Sequence, residues 1–115
     1  AKKPVRPTKL LKPNQVSLGV ENHVVLTACI EELQPLRYTP AGLPALDLRL
    51  AHESSQMEAG SPRKVLAVVK AVAFGALAER LARQAPGSTW KFQGFLATPR
   101  NSKTVVLHIQ DIQQN

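Results

Sequence analysis

From Asn22 onward the chain is built from short apolar runs separated by turn residues. His23 to Ile30 (HVVLTACI) is rich in β-branched residues and predicts a strand. Pro35 to Pro44 holds three prolines and Gly42, which marks a connecting loop. Ala45 to Ala51 alternates cleanly: Leu46, Leu48 and Leu50 face one way, Asp47 and Arg49 the other. His52 to Arg63 is polar, with Gly60 and Pro62 near its end, and reads as a long hairpin-like connection. Val65 to Ala71 is the third strand. Phe74 to Ala85 is helical in pattern, since Phe74, Leu77, Ala78, Leu81, Ala82 and Ala85 follow the i, i+3, i+4, i+7 spacing. Pro86-Gly87 ends it. Thr89 to Thr98 and Thr104 to Ile112 supply two further strands, joined across residues 99–103.

This order predicts an all-β fold, a five-stranded OB-fold barrel with a helix between strands 3 and 4. Five short strands also suit an SH3-like barrel, but the helix placement favours the OB arrangement. No segment repeats at a fixed period, which excludes a solenoid.

Charge divides the chain in two. Residues 1–19 carry Lys2, Lys3, Arg6, Lys9 and Lys12 with no acid, while the other 96 residues hold ten basic and eight acidic side chains. Pro4, Pro7 and Pro13 also fall in the first segment. The expected division is a basic, Pro-containing flexible tail over residues 1–19 and an OB-fold domain over residues 20–115. Such an arm attracts phosphates without reading sequence, or is simply a solvated leader. With 43% hydrophobic but only 4% aromatic residues, the core must be aliphatic. The single cysteine, Cys29, excludes an intrachain disulfide and fits a reducing compartment. No apolar run is long enough to span a membrane, so a cytoplasmic location is expected.

Catalytic chemistry finds little support. Glu31 and Glu32 are adjacent on a strand end and are expected to point to opposite faces. His23, His52 and His108 lie on separate elements, no CxxC, HxxxH or HExxH spacing occurs, and no glycine-rich phosphate loop is present. The expectation is a protein that is not an enzyme, with no cofactor and no metal site. Basic and aromatic residues are more suggestive. Trp90 and Phe92 face the core, whereas Lys91 and Phe95 share the other face of their strand. An outward ring beside positive charge suits single-stranded nucleic acid, because bases stack on rings while cations follow the phosphates. Arg37 with Tyr38, Arg63 with Lys64, and Arg100 with Lys103 add further candidates.

Particular segments resemble the primosomal replication protein N (PriB) family, relatives of single-stranded DNA-binding protein. They are Pro35-Leu36-Arg37, Gly42-Leu43-Pro44, Leu50 through Glu58-Ala59-Gly60, Gln93-Gly94-Phe95-Leu96, and Val106-Leu107-His108 with Ile112. The resemblance spans residues 22–112. It implies an OB-fold homodimer that binds single-stranded DNA and bridges it to a primosomal helicase and other primosome proteins in replication restart. It further implies that Phe95 stacks on DNA, that Arg63 is a basic contact, and that Arg100 and Lys103 lie where the family places lysines. The chain departs from the pattern at Leu66 and Ser61, where some members carry rings, and at Tyr38 and Glu53, where some carry cations. The departures imply weaker DNA binding or a shifted surface, with Tyr38 as a possible replacement ring. Two other readings stay open: an OB module that mainly docks a protein partner, and an RNA-binding OB domain, which matched DNA and RNA strands distinguish through the 2′-OH.

Overall fold

The computed structural model describes residues 19–114. The basic tail therefore lies outside the described residues, apart from Gly19. Six strands and one helix follow in the order β1 (Val24–Leu33), β2 (Arg37–Tyr38), β3 (Pro44–Glu58), β4 (Ser61–Phe74), α1 (Ala76–Ala82), β5 (Thr89–Ala97) and β6 (Val106–Gln114). The sheet order is β1-β5-β6-β4-β3-β2, and β1 also pairs with β3. That last pairing closes five strands into a barrel. The two-residue β2 hangs on the outside of β3 through Arg37↔Ala45 and Tyr38↔Pro44. All ladders are antiparallel except β4 with β6, which runs parallel at Ala71↔Leu107 and Val72↔His108. This is the expected OB barrel with its helix between the third and fourth long strands.

The core follows from the alternation. Leu46, Leu48 and Leu50 of β3 meet Ala73, Ala71 and Val69 of β4, and behind them lie Ile30, Phe92, Leu107 and Ile112. Ala78 and Leu81 bring one face of α1 onto this cluster. Trp90 is nearly buried, and its indole N–H donates to the Ser88 hydroxyl at 3.0 Å.

Three expectations need correction. The stretch His52–Arg63 is not a loop: β3 and β4 pair without a break from Ala45↔Phe74 to Glu58↔Ser61, forming a two-stranded arm. Ala59 and Gly60 close it with φ of 52° and 81°, the two positive values that a tight hairpin turn of the right twist requires. Phe74 does not begin the helix. It ends β4, and Gly75, at φ 74° with its N–H bonded to the Pro44 carbonyl at 2.8 Å, turns the chain into a helix of only seven residues. Nor do Glu31 and Glu32 diverge. The β1–β3 register slips between Ile30 and Glu32, and both carboxylates reach Arg49, at 4.0 and 3.0 Å.

Candidate nucleic-acid interface

Phe95 and His108 are direct partners across β5 and β6, so both side chains stand on the outer face of the barrel. Their rings stack with centroids 4.9 Å apart and planes 14° from parallel. On the other side of His108 stands Phe74, 5.9 Å away and inclined by 29°. Phe74 is paired with Ala45 of β3, which is paired in turn with Arg37 of β2. The ladders join Arg37, Ala45 and Phe74 on one side and His108 and Phe95 on the other, and the Phe74–His108 ring contact links the two into one row across five strands, although the residue of β4 in register with His108 is Val72.

A close approach of β5 to β6 sets up this row. The ladder slips between Gln93 and Gly94, leaving Gln110 as an extra residue on β6. A Cβ on Gly94 would lie 1.9 Å from the His108 carbonyl oxygen. Only glycine allows the two backbones to come this near, and the same contact fixes the His108 backbone beside Phe95. Burial holds the His108 imidazole below its ordinary pKa of 6.5, so the neutral ring is favoured between the two phenyl groups.

The cations sort by whether a carboxylate engages them. Arg37 makes a two-pronged contact with Asp47, at 2.6 Å from Nε and 3.1 Å from Nη2. That hydrogen bonding, reinforced by the carboxylate charge and opposed by burial, raises the Arg37 pKa. Arg63 pairs with Glu58, and Lys64 with Glu53 at 3.3 Å. All three pairs are well exposed, so each is worth no more than about 1 kcal/mol and can exchange for a phosphate. Lys70, Lys91, Arg100 and Lys103 have no ion-pair partner among the described residues.

The eight residues singled out in the sequence do not all come together. Phe95 lies in the row. Arg37 ends it, with Tyr38 next to it on β2 and 62% exposed. Arg100 and Lys103 sit in the connection between β5 and β6, whose ladder closes at Ala97↔Val106, two positions beyond Phe95↔His108. Lys91 lies on the same face of β5 as Phe95 but further along, opposite Thr27 of β1. Arg63 and Lys64 are elsewhere, near the tip of the β3–β4 arm, ten or more residues along β4 from Phe74. Three residues that the sequence did not mark join the row or flank it: Phe74, His108, and Lys70, which alternation puts on the same face of β4 as Phe74.

A second exposed area lies on the outer side of β1, β3 and β4. Leu66 and Val68 are 69% and 64% exposed and line an open groove with Thr27, Cys29 and Ala51. Beside it, β1 pairs only with β5 over Val24–Ala28, because β3 joins at Cys29. Among the described residues, one edge of β1 is therefore open over these five residues. His52 Nδ1 lies 2.7 Å from the Thr27 carbonyl on that edge. Among the described residues there is no cluster of three or more His, Cys, Asp or Glu placed to hold a metal ion, and no helix long and apolar enough to cross a membrane.

Comparison with known proteins settles the lineage. A family described as "another single-strand binding protein family" matches residues 22–111. Replication restart protein PriB of Bordetella pertussis is 47% identical over 94 residues, covering 81% of this chain and 88% of that protein. The chain belongs to the PriB family. Its PriB relative in Nitrosomonas europaea is 38% identical over 100 residues, covering 86% of this chain and 93% of that one. The solved PriB structure from Ralstonia solanacearum superposes with a TM-score of 0.77 at 35% identity, over 84% of this chain and 99% of its own. Membership in the PriB family and the OB-type barrel thus agree, and the described barrel coincides with nearly the whole matched region.

Proposed function

We propose that this chain is a primosome accessory protein, which binds single-stranded DNA and bridges it to a primosomal helicase and other primosome proteins in replication restart. One observation carries the DNA reading. On a barrel of the single-strand binding lineage, the Phe95–His108 ring pair stands on the outer face two ladder positions from a hairpin bearing Arg100 and Lys103, which have no ion-pair partner among the described residues. Rings give bases a sequence-tolerant surface and cations follow the backbone. In this reading Phe95 stacks, Arg100, Lys103 and Lys91 hold phosphates, and Arg37 and Tyr38 bound the site at β2. Arg63 and Lys64 contribute only by giving up their carboxylates. The protein acts in the cytoplasm, with no catalytic step and no cofactor of its own.

It works as a homodimer. The open edge of β1 over Val24–Ala28, flanked by exposed Leu66 and Val68, supports a second copy as its occupant, since unpaired strand edges and apolar patches both favour association. Light scattering of wild type and of Val68→Lys tests this: a monomeric wild type refutes it.

The DNA reading is tested by anisotropy titration of a labelled single strand of about 30 nucleotides, at two salt concentrations, with a duplex of the same sequence as control. Preference for the single strand, reduced by Phe95→Ala, is the expected result. Equal binding of duplex and single strand refutes it and leaves a docking module for protein partners. That alternative draws its support from the ion pairs that occupy Arg37, Arg49, Arg63 and Lys64.

A further inference from the structure

We infer that Phe74 and His108 are base-stacking residues, and that the row Phe74–His108–Phe95 forms one platform whose exposed end, Phe74, receives a nucleobase. The inference rests on the reading of the chain as a single-strand binder and adds to it two residues and a direction. His108 stands between two phenyl rings, so the open π surface of the row is at its ends. Phe74 is the more open end, 38% exposed although it is a large apolar side chain. Its direct partner on β3 is Ala45, whose methyl group cannot cover a phenyl ring. Stacked rings are already fixed in their rotamers, so a base that adds to them costs little side-chain entropy.

Charge complementarity selects the occupant. The carboxylate nearest in register, Asp47, is neutralised by Arg37. Lys70 on the same face of β4, with Arg100 and Lys103 at the β5–β6 connection, is left to meet phosphates. A surface of stacked rings bordered by cations with no ion-pair partner among the described residues, with Asp47 engaged by Arg37 and Glu32 by Arg49, matches a strand of bases on a polyanionic backbone. An acidic peptide without rings would use the cations but not the row.

The test separates stacking from charge. The full chain is titrated with labelled oligo-dT and with an abasic deoxyribose-phosphate strand of equal length. Phe74→Leu and His108→Leu should each weaken oligo-dT binding by about 5- to 150-fold, the range set by one lost stacking contact, and leave the abasic strand unchanged. Unchanged oligo-dT affinity, or equal loss on both strands, overturns the inference while single-strand binding stands. A wild-type protein that binds neither strand overturns the single-strand reading itself. If the variants do not fold, the wild type still decides. On adding short oligo-dT, the His108 ring protons should shift upfield, and an unmoved signal refutes the platform.

Discussion

Replacing Gly94 by alanine tests whether the close β5–β6 approach holds the row in place. At most strand positions this change is neutral or helpful, because alanine restricts the unfolded chain and favours ordered structure by about 0.5–1 kcal/mol. Here the new Cβ would sit 1.9 Å from the His108 carbonyl oxygen, 2.9 Å from its carbon and 3.1 Å from the Ile109 Cα. All three atoms are backbone, so no side chain can swing aside. Ordinary contact starts at 3.4 Å, and β6 would have to retreat by about 1.5 Å. That exceeds the roughly 0.5 Å range over which N–H···O bonds keep their strength. Overpacking costs about 1–3 kcal/mol and each broken ladder bond about 1 kcal/mol. Against the small gain from alanine, and with one ladder bond broken, a net loss of about 1–3.5 kcal/mol follows, or about 5–20 °C in Tm for a domain of this size. Urea denaturation followed by the fluorescence of Trp90, the single tryptophan and nearly buried, measures it directly. A midpoint equal to or above wild type would refute the close-approach argument. It would also remove the reason for treating His108 and Phe95 as a fixed pair.

His108→Gln should flatten the acid side of the stability profile. The folded imidazole has its pKa lowered from 6.5 by burial, so the unfolded chain binds more protons at this site. Its contribution is complete above 6.5 and is lost as pH falls through the lowered folded value, and urea midpoints between about pH 5 and about pH 8 should show this slope in wild type only. Asp47→Asn releases Arg37 from its two-pronged contact and should tighten single-strand binding at low salt, while costing at most about 1 kcal/mol in stability; weaker binding would show that Arg37 acts only while paired. Arg100→Ala and Lys103→Ala should each reduce the slope of log K against log salt by about 0.7, one phosphate contact on a single strand, and parallel salt lines for wild type and variants would exclude them from the site.

What the sequence made legible is what local patterning controls. Leu46, Leu48 and Leu50 alternate with Asp47 and Arg49 because one face of β3 is core and the other is solvent. The same alternation sends Phe92 inward and Phe95 outward on β5. The β3–β4 arm escaped notice for the converse reason. Beyond His52 most side chains on both strands are exposed, so no apolar period marks them, and the ladder with its turn at Ala59-Gly60 decides the structure. Phe74 fitted a helical period by sequence spacing, yet the positive φ at Gly75 ends that period before it begins.

The site was legible only where it lies within one strand. Phe95 could be placed by alternation, but its neighbours are set by pairings between distant segments: a parallel register for β4 with β6, and a slipped antiparallel one for β5 with β6. Charge counting fails in the same way. Arg63 and Lys64 look like a basic pair in sequence, yet each finds a carboxylate across the arm hairpin, while Lys70, isolated in sequence, has no ion-pair partner among the described residues and lies on the face that carries the rings. A cation adds to a phosphate track only in proportion to the charge its neighbours leave it. Where the folded part holds ten basic and eight acidic side chains, the pattern of ion pairing rather than the net charge decides where a strand of DNA can lie.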